Sequence, residues 1–221
     1  MRSSRFAALI GLLAVAAPLS GQAFTNGSLT GPINNGGVPT GWTLEAGSPD
    51  TMDENNNVGV PGALGFGAAP SPSPDGGTWV GVGGEGATGF VERFSQSVSG
   101  FTVGQTYTVN FYASNFGAAD FGYVATNFFE MLIDGVAMDS GADLPLAPGW
   151  TLQTLSFLAT SATHTIAFQL GDGAKSYMGI DGISIAGGMS TVPEPATTAL
   201  LGAGLLALGG IVSRRRRAMA A

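Results

Sequence analysis

The run TYTVNFYAS, residues 106–114, puts Tyr107, Val109, Phe111 and Ala113 in one phase and Thr108, Asn110, Tyr112 and Ser114 in the other. A period of two is the signature of a strand with one face on a core and one towards solvent. The pattern recurs. FFEMLIDG sets Phe129, Met131 and Ile133 against Glu130 and Asp134; LQTLSFLAT sets Leu155, Phe157 and Ala159 against Thr154, Ser156 and Leu158. HTIAFQLG sets Ile166, Phe168 and Leu170 against Thr165, Ala167 and Gln169, and GIDGISIAG closes the series with Ile183 and Ile185 in phase. TWVGVGG and FVERFSQSV read as two further, less regular strands.

Turn signals separate these runs: Gly100 and Gly104, Asp134-Gly135, Pro148-Gly149, Asp172-Gly173 and Asp181-Gly182. No window of helical period competes. Strands at intervals of ten to twenty residues predict an all-β sandwich over residues 24–190, with one core shared by two sheets. Glycine, 36 of 221 residues, supplies the turns, and a hydrophobic content of 44% supplies the core. There is no cysteine, which removes thiol chemistry, disulfides and thiolate metal sites. Residues 47–77, with SPDTMDENNN and PSPSPDGG, read as a long surface loop or a binding rim.

Charge is unevenly distributed. Between residues 24 and 190 there are two basic side chains, Arg93 and Lys175, against fourteen acids. Phosphate binding requires the opposite sign, so no nucleic-acid partner is expected. The acids form a solvated surface or, in part, calcium sites.

The two ends differ from the body. MRSSR, FAALIGLLAVAAPL and SGQA follow the order of a secretory signal: a basic start, a short apolar run, then small residues before a cut. Cleavage after Ala23 is expected, making residues 1–23 a signal peptide. At the other end Ala196 to Val212 carry no charge; as a helix they span about 25 Å, at the short limit for a bilayer. Arg214, Arg215, Arg216 and Arg217 resist crossing and stop the helix on the cytoplasmic side. Pro193 and Pro195 hold Glu194 in an extended segment outside it, a handle for a membrane peptidase.

The order Val192-Pro193-Glu194-Pro195, an apolar stretch and an arginine cluster resembles the PEP-CTERM sorting signal, over residues 191–217. That resemblance implies transient insertion in the inner membrane and recognition by an exosortase, a membrane protease that cuts near Pro-Glu-Pro and releases the body to the cell surface or exopolysaccharide matrix. The body resembles the jelly-roll sandwiches of galactose-binding-like and carbohydrate-binding modules. The matching pieces are Asn26-Gly27-Ser28, Gly41-Trp42, Gly104 to Thr108, Ile133-Asp134-Gly135, Ala159-Thr160-Ser161 and Ile180 to Ile185. Leu29 and Thr30 stand where an aromatic and an acid often follow Asn-Gly-Ser, a departure that weakens the case for an N-terminal acidic ligand. The jelly-roll resemblance implies a structural calcium at Asp181; the residue itself reads equally well as the turn residue before Gly182.

Little else carries chemistry. His164 is the only histidine, at a strand start beside Thr163 and Thr165; no triad or two-histidine metal set is expected from it without a second site on another chain, and a structural or exposed role is expected. The carboxylate pairs Asp50/Asp53 and Asp139/Asp143 could in principle serve glycoside hydrolysis, but no motif surrounds them. Gly83-Gly84-Glu85-Gly86 lacks the strand–loop–helix setting and the cation of a phosphate loop. Trp42, Trp79, Trp150 and Tyr177 are candidate sugar-stacking faces, but core packing or strand-edge filling accounts for each more readily. The expectation is an exported, non-enzymatic matrix protein that is structural or contacts glycans. The alternatives are a calcium-dependent carbohydrate-binding module, a permanently anchored protein on the periplasmic side, and a secreted glycoside-active enzyme.

Overall fold

A computed structural model describes residues 22–54, 72–85, 90–171 and 175–187. By compactness the chain divides into two units, residues 1–186 and 187–221, and the architecture below is that of the first. The signal segment before Gln22, the sorting residues Val192 to Pro195, the run 196–212 and Arg214 to Arg217 lie outside the described residues.

Ten strands build two five-stranded antiparallel sheets. The first has the order β1 (Thr43–Ala46), β4 (Arg93–Ser99), β9 (Thr163–Leu170), β6 (Phe129–Ile133) and β7 (Val136–Ser140). The second has β2 (Asp50–Met52), β3 (Trp79–Gly84), β10 (Ser176–Gly187), β5 (Thr106–Asn115) and β8 (Ala147–Leu158). The alternating residues predicted to face inward do so: Val109, Phe111, Met131, Leu155, Ile166, Phe168 and Ile183 form one buried cluster between the sheets. Trp42 joins that core, stacked on Phe24 at 5.2 Å and edge-on to Phe94 at 5.1 Å, while its Nε1–H donates to the Asn26 carbonyl at 2.8 Å.

Three details correct the sequence reading. Pro148-Gly149 lies inside β8, not in a turn. Asp181-Gly182 does not end a strand, because β10 runs through it to Gly187. Gly182 takes φ +61°, which lets the strand bulge and brings Ile183 back to the core side after Asp181 has pointed outward. Asp50, inside the stretch read as a loop over 47–77, is a strand residue, and Asp139 lies in β7. By contrast Asp134-Gly135 forms the expected hairpin turn, with both residues at positive φ.

His164 is structural. It is buried, and its Nε2 accepts the N–H groups of Thr160 and Ser161 at 3.1 Å each. That fixes the hydrogen on Nδ1, which donates to Asp134 Oδ2 at 2.7 Å. One side chain thereby ties the β8–β9 turn to the β6–β7 turn.

Candidate functional site

The second sheet turns one face to the core and one outward, and the outward face holds the candidate site. On β10 the outward residues are Tyr177, Gly179 and Asp181; on β3 they are Trp79, Gly81 and Gly83. On β5 they are Asn110, Tyr112 and Ser114, and on β8 Trp150, Leu152 and Thr154. The face has two parts.

At one end an aromatic cluster is folded shut. Trp79 is fully buried and meets Trp150 edge-on at 5.3 Å; Tyr177 meets Phe116 at 5.7 Å and Tyr123 at 6.3 Å. Gly81 and Gly179 make room for it: a Cβ at Gly81 would collide with the Tyr177 hydroxyl, and one at Gly179 would come within 2.9 Å of Phe116. Beneath it lie two buried carboxylates. Asp50 Oδ2 accepts from Tyr177 at 2.5 Å and its Oδ1 from Gly36 N–H at 2.7 Å; Glu92 Oε2 accepts from Gly83 N–H at 2.6 Å and its Oε1 from Ser48 at 3.2 Å. Burial raises both acids, Glu92 to about 7, and the neighbouring Asp50 charge adds to the rise at Glu92.

At the other end the face opens into a groove of about 500 Å³. Tyr112 and Leu152, paired across β5 and β8, give it an apolar floor. Asn110, Asp75, Ser28 and Ser184 give it hydrogen-bonding walls, with Gln22 and Ala23 at its edge. Asn110 is held in place by Thr154, whose hydroxyl donates to its Oδ1 at 2.9 Å. A half-buried aromatic ring beside fixed polar groups is the chemistry a sugar ring recognises: its C–H face packs on the aromatic and its hydroxyls find donors and acceptors.

Asp181 lies just behind the groove wall. It is 0% exposed, and neither carboxylate oxygen makes a hydrogen bond of good geometry. Burial pushes it up to about 7; the Ser73 hydroxyl and Gly182 N–H favour its ionised form only in part, and Asp75 opposes it. An orphaned buried carboxylate with a second acid and a hydroxyl nearby fits the oxygen-donor chemistry of calcium. Among the described residues, however, no group of three or more acidic or histidine side chains surrounds a common point, so backbone carbonyls would have to complete the shell.

The sequence-predicted aromatics therefore separate. Trp42 is inside the sandwich. Trp79, Trp150 and Tyr177 come together on the outward face, with Trp79 and Tyr177 buried and Trp150 half-buried. No sequence motif marks the groove residues Tyr112, Asn110 and Asp75, although the alternation of β5 places Asn110 and Tyr112 outward. Gly83 and Gly84 are paired strand residues of β3. Among the described residues no helix is long and apolar enough to cross a membrane.

Residues 191–217 match the PEP-CTERM protein-sorting motif. No curated protein matches the chain. Among solved structures the chain resembles a cyclase from Fischerella sp. TAU in complex with 4-(1H-indol-3-yl)butan-2-one, at 14% identity and TM-score 0.51, over 79% of this chain and 98% of that one. It also resembles the arabinose-bound α-L-arabinofuranosidase MgGH51, at 11% identity and TM-score 0.52, over 76% of this chain but only 27% of that enzyme. A CBM4 structure aligns at 18% identity and TM-score 0.41, over 74% of this chain and 99% of that one. At these identities the two matches above 0.5 establish the sandwich fold alone. The PEP-CTERM motif is a signal for export and membrane-associated sorting.

Proposed function

We propose that this chain is an exported, non-enzymatic sandwich protein, delivered to the cell surface or exopolysaccharide matrix and contacting glycans there through the Tyr112 groove. The observation that carries the first half is the sorting motif at residues 191–217. In this reading residues 1–23 are removed after Ala23, and residues 196–212 hold the chain in the inner membrane with Arg214 to Arg217 inside. An exosortase then cuts near Pro193–Pro195. Removal of Gln22 and Ala23 with the signal peptide also clears one edge of the groove. The geometry of Tyr112, Leu152, Asn110 and Asp75 supports the second half. Calcium, held by Asp181 with Asp75 and Ser73, would supply a structural charge balance behind the groove wall rather than contact the glycan. The test of sorting is a cell lacking exosortase activity: the chain should stay in the membrane fraction, and normal release of a trimmed product would overturn the reading.

Permanent anchoring is the second reading, since an uncut span of the same hydropathy gives the same first step. It predicts a membrane-bound mature form retaining its arginines.

A further inference from the structure

We infer that signal-peptide removal completes the Tyr112 groove: the cut after Ala23 leaves the α-ammonium of Phe24 on the groove wall, where with Asp75 it selects an uncharged glycan. The inference rests on the readings of Ala23 as the cleavage residue and of the groove as a glycan site.

The chain is locked from residue 24 onward. The Phe24 ring is 9% exposed, stacked on Trp42 at 5.2 Å and tilted against Phe168 at 6.4 Å. The Thr25 N–H donates to Gln96 Oε1 at 2.6 Å, and Gln96 Nε2 returns a bond to the Thr25 carbonyl at 2.8 Å. Asn26 Nδ2 donates to the Thr30 and Thr40 carbonyls at 3.0 Å each. None of these contacts involves a residue before Phe24, so all of them survive the cut. Ala23 is exposed, and Ala23 and Phe24 both line the groove. Hydrolysis of the peptide between them sends the new carboxylate away on Ala23. It leaves on Phe24 an amine that is protonated at neutral pH, at the position the bond occupied.

That ammonium is a group the groove otherwise lacks. Residues 24–190 hold two basic side chains, and neither lines it. Arg93 is on the first sheet, donating from Nε to Gln169 Oε1 at 2.7 Å, and Lys175 Nζ lies 2.8 Å from Glu85. Among the described residues Asp75 is the one charged side chain in the lining.

The two charges flank one stretch of β10. A Cβ on Gly182 would lie 3.1 Å from Asp75 Cβ and 3.2 Å from Tyr112 Cδ2. A Cβ on Gly27 would collide with the Ile183 carbonyl and lie 3.6 Å from Phe24 Cβ. Gly182 and Ile183 are consecutive, so Asp75, Tyr112 and Phe24 gather around them. Beside the Tyr112 ring, the carboxylate accepts from sugar hydroxyls and the ammonium donates to sugar oxygens, both in charge-assisted bonds. Their charges cancel within the groove, while a body with fourteen acids and two bases repels an acidic chain. The ligand class that fits is a neutral polysaccharide.

Lys175 is the only lysine, so secreted protein carrying Lys175→Arg has the α-amine as its sole amine. That protein, recovered from the medium with its N-terminus read by intact mass, is assayed by affinity electrophoresis on dextran, laminarin and galactan, and on alginate and polygalacturonate. It should bind a neutral polymer in preference to the acidic ones. Acetylating the α-amine should weaken that binding about tenfold or more, the effect of removing a charged donor. Reductive methylation, which keeps the positive charge, should leave most of it, and neither treatment should move the melting temperature. Equal binding before and after acetylation overturns the role of the ammonium while leaving the glycan reading intact. Preference for the acidic polymers overturns the ligand class. Binding to none of the five overturns the glycan reading and this inference with it. An N-terminus other than Phe24 overturns the cleavage reading and, with it, the ammonium.

Discussion

The Tyr177 hydroxyl donates to Asp50 Oδ2 at 2.5 Å, joining β10 to the short edge strand β2 across 127 positions of sequence. The bond closes the aromatic end of the outward face over two acids that have little water. Burial, and then the nearby Asp50 and Glu92 charges, hold the Tyr177 hydroxyl well above its ordinary value, so it remains a donor throughout the accessible pH range. Tyr177→Phe removes that donor while keeping the ring. An unsatisfied buried carboxylate oxygen costs roughly 1–3 kcal/mol, and urea denaturation should show a loss of that size.

The same acids set a pH dependence. The folded state holds Glu92 at about 7, whereas the unfolded chain ionises it at its ordinary 4.5. Between those values the folded state binds more protons, so the stabilising contribution is complete below about 4.5 and is lost as pH rises through about 7. Glu92 alone contributes roughly 3 kcal/mol to that difference, and Asp50 and Asp181 act in the same direction. Melting in calcium-free buffer should be higher at pH 5 than at pH 8. Glu92→Gln, which can still accept from Gly83, should remove much of the loss at pH 8 and change little at pH 5.

Asp181 separates protonation from ion binding. If calcium satisfies its two orphaned oxygens, millimolar calcium should raise the melting temperature at pH 8, and Asp181→Asn should abolish that response. A calcium shift retained in Asp181→Asn would place the ion elsewhere. No shift in the unsubstituted protein would leave the neutral acid as the state that fits the buried site.

Much of the sandwich was legible because its core strands alternate cleanly: β5, β6 and β9 bury the residues their period assigns. What escaped was set by tertiary context. β7, VAMDS, has an exposed and intermediate pattern throughout, so no periodicity marked it. β1 and β2 are too short to show a period, and β8 contains Pro148 at the start of an edge strand, where a proline costs no ladder bond. The groove was hidden for a similar reason. Asn110 and Tyr112 were readable as outward, but Asp75 and Ser28 arrive from distant loops, and only folding brings them together. The tryptophans misled because an aromatic offers a sugar-stacking face only if nothing packs over it; Phe116 and Tyr123 lie against Tyr177, and Trp150 against Trp79.

For the groove, Tyr112→Ala is the informative change. Its ring is half-buried and outside the main core cluster, so folding should survive, which a melting curve verifies. If the proposed glycan contact is made there, binding to an exopolysaccharide panel should fall by about fivefold to a hundredfold, the effect of losing about 1–3 kcal/mol of contact. Trp42→Ala should instead destabilise the fold by about 3–5 kcal/mol through the cavity it leaves. Unchanged binding by Tyr112→Ala would remove the groove as the contact site.

The most direct measurement of the sorting account is the intact mass of the protein recovered from culture medium and from membranes. The account predicts a released form that begins at Phe24, ends near Pro193–Pro195 and lacks Arg214 to Arg217. A mature form in the medium that still carries those four arginines would contradict it.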